Sequence, residues 1–193
     1  MVIFAANNMQ RIVIISPSVR KGRKSHRVAL YFYNLLQERK IAETEILDLL
    51  QYNFPLFNER LKFQDSPSAE MIEFADKVKS ADGVIIIAPE YNGGPPASLK
   101  NAIDLLTDEW RHKPVGIATV SDGHFAGIQA VTSLQFILWK LGALTSNLTM
   151  RLPDINTTFD EYGVPADKPA TDKRGIAFVN ELLWHIGGRT RML

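Results

Sequence analysis

The chain is 193 residues long, 46% hydrophobic, with a formal net charge of +1 and no cysteine. That length suits one globular domain burying roughly 70% of the surface its unfolded chain exposes, and leaves no room for a second. The near-neutral balance offers no basic excess for nucleic acid or an anionic membrane. The missing cysteines exclude disulfides, a thiolate nucleophile and cysteine-ligated metal or iron–sulfur sites, so any redox work needs a borrowed cofactor.

Met1 to Asn8 is briefly apolar but lacks a basic lead and a long hydrophobic stretch. The expectation is therefore a short N-terminal extension over 1–8 without fixed structure, rather than a signal peptide, followed by a single domain over 9–193. No run approaches a membrane span, and the reading is of a cytoplasmic protein.

Arg11 to Ile15 reads as a first strand. Ser25 stands where it can cap a helix whose apolar residues Val28, Phe32, Leu35 and Leu36 recur at helical spacing. Glu43 to Leu49 fits a second strand, and the aromatic but aperiodic Tyr52 to Glu59 an ordered loop. Ser66-Pro67 supplies a cap and a first-position proline for a helix buried through Met71, Phe74, Ala75 and Val78. The fully apolar Val84 to Ala88 reads as a third strand covered on both faces, leading to a helix with Leu99, Ala102, Ile103 and Leu106 on one side. Val115 to Val120 is a fourth strand; its helix carries Val131, Leu134, Leu138 and Leu141 and stops at Gly142. Thr145 to Met150 fits a fifth strand. Ile176, Val179, Leu183 and Ile186 mark a last helix ended by Gly187-Gly188.

This alternation predicts an α/β fold with right-handed crossovers and helices on both faces of a parallel sheet. Five strands favour the flavodoxin-like three-layer sandwich of order 2-1-3-4-5, with a ligand crevice between the carboxyl ends of the first and third strands.

Three loops then meet at that crevice. Ser16 to His26 joins hydroxyls and cations to a helix amino end, where free N–H groups and the macrodipole favour an anion such as phosphate. Arg20 is the best candidate for a charged contact, with Ser18, Ser25 and His26 as further donors; a solvated basic loop with an ordinary serine cap fits the same residues. Neither the Walker pattern nor GxGxxG is present, which argues against a nucleoside triphosphatase or a tightly held dinucleotide. Pro89-Glu90-Tyr91-Asn92-Gly93-Gly94 offers a ring, an amide and flexible backbone to a flat heteroaromatic ligand. For Glu90 a helix-dipole or turn contact accounts better than catalysis, and Tyr91 fits packing as well as ring contact. Ser121 to Gly127 supplies small residues and backbone donors.

His124 and Asp122 find no Gly-x-Ser-x-Gly elbow, His112 and His185 stand in no constellation, and no paired histidines suggest a metal. Trp110, Trp139 and Trp184 read as core or subunit-interface residues. Lys21, Arg23 and Lys24 fit either a 2′-phosphate contact or a solvated loop.

From Met9 onward the chain resembles the NADPH-dependent FMN reductases, the flavodoxin-like group that includes quinone, chromate and azo-dye reductases. The most specific match is Pro89-Glu90-Tyr91-Asn92-Gly93 followed by Leu99-Lys100-Asn101-Ala102-Ile103-Asp104. Also similar are the Ser16 to His26 loop, the Asn53 to Phe57 stretch and the Ser121, Gly123 and Gly127 loop. The resemblance implies that Ser18, Arg20, Ser25 and His26 hold the FMN phosphate in the loop opened by Ser16. It places Pro89, Glu90, Tyr91, Asn92 and Gly93 around the isoalloxazine, with Ser121 and Gly123 on its other side. The chain departs from the family at Ser16-Pro17-Ser18 in place of Gly-Ser, at His26 in place of asparagine, and at Ala126 in place of a glycine.

The function this implies is an FMN-dependent NAD(P)H oxidoreductase taking electrons from NADPH or NADH to a small acceptor: a quinone, flavin, azo compound or metal oxyanion. The flavin carries the chemistry, so no side chain need be strictly catalytic. The resemblance also implies a homodimer or homotetramer. The alternative is a flavodoxin-like FMN electron carrier serving a protein partner; the near-neutral charge counts against it, since such carriers steer basic partners with acidic surfaces.

Overall fold

A computed structural model of the chain describes residues 9–190. The extension expected over 1–8 lies outside the described residues. The elements run β1 (Gln10–Ser16), α1 (Ser25–Glu38), β2 (Ala42–Asp48), α2 (Leu49–Tyr52), α3 (Ala69–Ser80), β3 (Gly83–Pro89) and α4 (Ala97–Leu105). They continue with β4 (Pro114–Val120), α5 (Ile128–Lys140), β5 (Leu144–Thr145), β6 (Met150–Leu152), α6 (Ile155–Thr158) and α7 (Lys168–Thr190).

The strands pair in parallel in the order β2-β1-β3-β4-β5, with β6 also on β4, which is the expected topology. Because side chains alternate along a strand, Val13 and Ile15 pack with Val84 and Ile86 under α3, α4 and α5, while Ile12 and Ile14 pack with Ile85 and Ile87 under α1 and α7. Two aliphatic cores thus sandwich the sheet and fix its carboxyl edge, where the loops after β1, β3 and β4 emerge together.

Several boundaries differ from the sequence reading. Ser25 is the first residue of α1 and caps nothing; Lys24 occupies the cap position and its side chain makes no capping bond. Helix α3 starts two residues later than Ser66-Pro67 suggests, because Ser68 Oγ accepts from the Met71 amide at 3.3 Å and Glu70 enters the first turn. The fifth strand is split: β5 lies against Pro114–Val115 and β6 against Ala118–Val120. Between them the Ser146 amide still bonds Val115 O at 2.8 Å while its hydroxyl turns to Leu148 O. Helix α7 runs through Gly187-Gly188, where a β-carbon would meet no neighbour.

At the opposite, amino-terminal edge, the Lys113 side chain is buried and donates to the carbonyls of Lys79, at 3.1 Å, and Ala81, closing the end of α3. Burial pushes its ammonium down to about 8. A concavity of about 810 Å³ lies at this same edge beside Arg11, Glu73 and Lys77, far from the convergent loops.

Candidate functional site

The loop after β1 is organised by an ion pair that the sequence reading left unassigned. Asp48, the last residue of β2, accepts both arms of the Arg23 guanidinium at 2.5 Å, and Arg23 also donates to Ser18 O at 2.6 Å. Both side chains are largely buried, 12% and 5% exposed. Burial alone would raise the Asp48 carboxyl, but the bonds from Arg23 and the Leu50 amide outweigh it and hold it below the ordinary carboxylate range. His26 bonds Ser16 Oγ through Nδ1 at 2.9 Å and lies 3.8 Å from Asp48. Burial lowers its pKa more than Asp48 raises it, so the neutral ring is favoured. Arg23 is therefore committed to Asp48 and is not a free cation. Arg20 is the reverse case: exposed, with its amide 3.4 Å from Ser18 Oγ, its carbonyl accepting from the Arg23 amide at 3.1 Å, and its guanidinium unpaired among the described residues.

In the loop after β3, Tyr91 and Gly94 exchange two backbone bonds at 2.8 and 3.1 Å around Asn92 and Gly93. Both central residues have positive φ, 52° and 78°, the requirement of a type I′ turn and the reason for Asn-Gly here. Their amides carry no bond among the described residues, and a β-carbon on Gly93 would meet nothing within 4 Å. The turn thus presents bare backbone to open space. Tyr91 Oη reaches Ser18 Oγ at 2.7 Å, tying this loop to the first, and Ser98 Oγ donates to Pro17 O at 2.5 Å. The Glu90 carboxylate accepts from the Gln129 and Ala130 amides at 3.0 and 3.2 Å, so it caps the amino end of α5, the helix-dipole contact weighed from sequence. Pro89, the buried last residue of β3, sets where the loop leaves the sheet.

The loop after β4 folds on itself. Ser121 Oγ donates to Gly123 O at 2.9 Å and accepts from the Gly123 amide at 3.2 Å. Thr119 Oγ1 holds Ala126 O at 2.7 Å. Ala126 sits at φ 51°, a left-handed conformation that glycine adopts more easily, which rationalises the glycine expected at this place from the resemblance.

Two asparagines with no role assigned from sequence join this site. Asn101 accepts from the Phe57 amide at 2.5 Å and donates to Pro55 O at 2.8 Å, pinning the loop after α2 to α4. Asn156 of α6 accepts from Lys24 and donates to Asp122, linking the first loop to the third. Asn101 stood in a recognised motif without a role. Asn156 gave no signal, since an isolated polar residue in a short helix resembles any solvated one.

The residues at this end of α1 fit an anion such as the phosphate of a flavin mononucleotide on a specific ground: Ser25 Oγ is buried and has no hydrogen-bond partner. A buried hydroxyl left unpaired costs on the order of 1–3 kcal/mol, and this one lies at the amino end of α1, after the loop that carries the uncommitted guanidinium of Arg20. An anion there would satisfy the hydroxyl and the free amides of the first helical turn. No cluster of three or more metal-binding side chains occurs among the described residues. His112 and His124 are exposed and His185 is half-buried. Trp110 is buried, with Nε1 bonding Ile103 O at 3.1 Å, whereas Trp139 and Trp184 are exposed.

The family model of the NADPH-dependent FMN reductases matches residues 10–151. A quinone reductase of Escherichia coli strain K12 is 32% identical over 142 residues, covering 71% of this chain and 73% of that one. An NADPH azoreductase of Bacillus sp. (strain OY1-2) is 32% identical over 125 residues, 64% of this chain and 66% of its own length. Among solved structures, the flavoenzyme NAD(P)H:(acceptor) oxidoreductase FerB of Paracoccus denitrificans superimposes with a TM-score of 0.72 at 23% identity, over 92% of this chain and 97% of its own. With the sheet order, the Asn-Gly turn and the anion cradle in place, these matches establish that the chain belongs to the NADPH-dependent FMN reductase family.

Proposed function

We propose that the protein is an FMN-dependent NAD(P)H oxidoreductase that delivers electrons to a small acceptor such as a quinone, a free flavin, an azo compound or a metal oxyanion. The observation that carries this reading is the buried, unpartnered Ser25 hydroxyl at the helix amino end, in a loop that also carries the unpaired Arg20. FMN, when bound, supplies the redox chemistry, accepting a hydride from the nicotinamide and passing electrons on.

The residues bind and orient. Ser18, Arg20 and Ser25 hold the phosphate, with Ser16 and His26 buttressing them through their mutual bond. Asn92 and Gly93 direct backbone amides to the polar edge of the ring, and Tyr91, fixed by Ser18, keeps that turn in register with the phosphate loop. Pro89 and the capping Glu90 set the loop's exit and height. Ser121 and Gly123 border the other side as a self-bonded turn. No proton donor or nucleophile is required of the chain.

No described helix is long and apolar enough to cross a membrane, and we place the protein in the cytoplasm. Phe136 and Trp139, 63% and 65% exposed on α5 with ring centroids 5.9 Å apart, support a homodimer or homotetramer, since such aromatic surface is covered on association. Light scattering on the purified protein measures the assembly state.

The functional test is an anaerobic absorption spectrum of the FMN-loaded protein during addition of NADPH, then NADH, with quinone as the only acceptor. Bleaching of the flavin bands and their return with quinone are expected. A folded protein that takes up no FMN at micromolar concentration refutes the reading. Loaded flavin that neither nicotinamide bleaches points instead to an electron carrier.

A further inference from the structure

A second cleft, of about 330 Å³, opens on the far side of the loop after β4 and is lined by His124, Phe125, Thr149, Arg151 and Arg174. We propose, building on the oxidoreductase reading, that it receives the 2′-phosphoadenosine end of NADPH and thereby selects NADPH over NADH.

Position is the first ground. Strand β4 lies between β3 and β6, with Thr119 opposite Arg151, and the Ser121 amide bonds Leu152 O at 3.2 Å. The loop after β4 therefore has the FMN cradle on its β3 side and this cleft on its β6 side. A dinucleotide laid across that loop reaches both. The volume is at the lower end of small-molecule sites, which run about 300–1,000 Å³, and suits one end of a dinucleotide rather than the whole.

Charge is the second. The Arg151 guanidinium has no hydrogen bond or ion pair among the described residues. Arg174 is anchored to the Arg151 carbonyl at 2.6 Å and meets no carboxylate there. No carboxylate lines the cleft among the described residues; nearby Asp122 is engaged by Asn156. By contrast Arg23 meets Asp48, and Lys168 meets Glu38 and Asp172. Two guanidiniums sharing a cleft without a counter-charge suit a dianionic phosphate monoester, whose oxygens match their planar forks. Of the basic Lys21, Arg23 and Lys24, which suit this task by sequence, Arg23 is engaged by Asp48 and Lys24 by Asn156, and Lys21 does not line the cleft.

The third ground is the aromatic rim. Phe125 is 78% exposed, beside His124 at a ring separation of 6.4 Å. A phenyl face held in solvent beside two cations is a stacking platform for a purine.

The test is calorimetric titration of FMN-loaded protein with adenosine 2′,5′-bisphosphate and, separately, adenosine 5′-monophosphate at one ionic strength, in wild type, Arg151→Gln, Arg174→Gln and Phe125→Ala. The bisphosphate is expected to bind wild type at least tenfold tighter than the monophosphate. Each arginine variant should lose about tenfold for the bisphosphate and little for the monophosphate; Phe125→Ala should weaken both. In anaerobic reduction, the arginine variants should need about tenfold more NADPH for half-maximal rate, with NADH and quinone dependence unchanged. Equal affinity of wild type for the two adenosine ligands overturns the proposal, as does an arginine effect on quinone rather than on NADPH. Arginine-sensitive bisphosphate binding without any flavin bleaching would refute the oxidoreductase reading while leaving this site standing.

Discussion

Ser18 and Tyr91 are 73 positions apart in sequence, yet their hydroxyl oxygens lie 2.7 Å apart, joining the loop after β1 to the loop after β3. The bond locks together the loop proposed to hold a phosphate and the loop proposed to border a ring. Because Ser18 is fully buried, removing the phenol leaves its hydroxyl without that partner.

Tyr91→Phe is expected to lower folding stability by about 1–2 kcal/mol, the lost bond plus an unsatisfied buried group. It should weaken FMN and riboflavin alike by several-fold, since the tether organises the loop both ligands share. Denaturant unfolding and fluorescence titration measure the two effects. In a double-mutant cycle with Ser18→Ala, the double variant should be little worse than Tyr91→Phe alone; fully additive losses would show that the two hydroxyls do not act together.

Gly93→Val tests the turn. There is room for the side chain, since a β-carbon at Gly93 meets nothing within 4 Å, but φ is 78° and a β-branched residue is strained there. The space that stays open is also where a ring must approach. Near-complete loss of FMN binding in a folded protein is expected, with Gly93→Ala intermediate. Unchanged affinity in Gly93→Val would place the ring elsewhere.

The sheet was legible because Val84 to Ala88 and Val115 to Val120 are apolar runs of strand length between helical periodicities, and the ligand edge follows from their parallel order. The turn was legible because Asn92-Gly93 is local chemistry. Asp48 escaped notice because its role depends on Arg23, 25 positions away, and at the end of a strand it reads as an ordinary turn residue. By identity and spacing Ser25 suits both a helix cap and a phosphate donor; only its buried, bondless hydroxyl separates the two. The break between β5 and β6 was hidden because both halves lie on β4 in one line, so Thr145 to Met150 keeps the pattern of a single strand.

The Arg23–Asp48 pair makes stability depend on acid. The folded Asp48 pKa is lowered, so its contribution is present above the unfolded value near 3.9 and is lost as pH falls through the lower folded one. Asp48→Asn should cost on the order of 3 kcal/mol near neutrality, as for a broken buried pair. Its gap to wild type should narrow below about pH 4. His26 provides a second readout. Its pKa is lowered by burial and raised by Asp48, so Asp48→Asn should move it further down in an NMR titration; an upward shift would contradict the arrangement.

Arg20 and Arg23 lie three residues apart in one basic loop, yet the structure gives them different tasks, and two ligands separate them. Arg20 has an unpaired guanidinium in the loop that leads to the unsatisfied Ser25 hydroxyl, whereas Arg23 is held by Asp48 and the Ser18 carbonyl. FMN and riboflavin differ only in the terminal phosphate. Arg20→Ala should therefore cost FMN binding about 1.5–3 kcal/mol, the range for a charged hydrogen bond, while leaving riboflavin affinity and melting temperature nearly unchanged. Arg23→Ala should weaken both ligands and lower the melting temperature, because it strands Asp48 and frees the loop that carries Ser18. Titrating both ligands into both variants at one ionic strength decides the assignment. Equal losses for FMN and riboflavin in Arg20→Ala would mean that Arg20 shapes the loop without reading the phosphate, and a phosphate-specific loss in Arg23→Ala would mean that Arg23 leaves Asp48 to bind it.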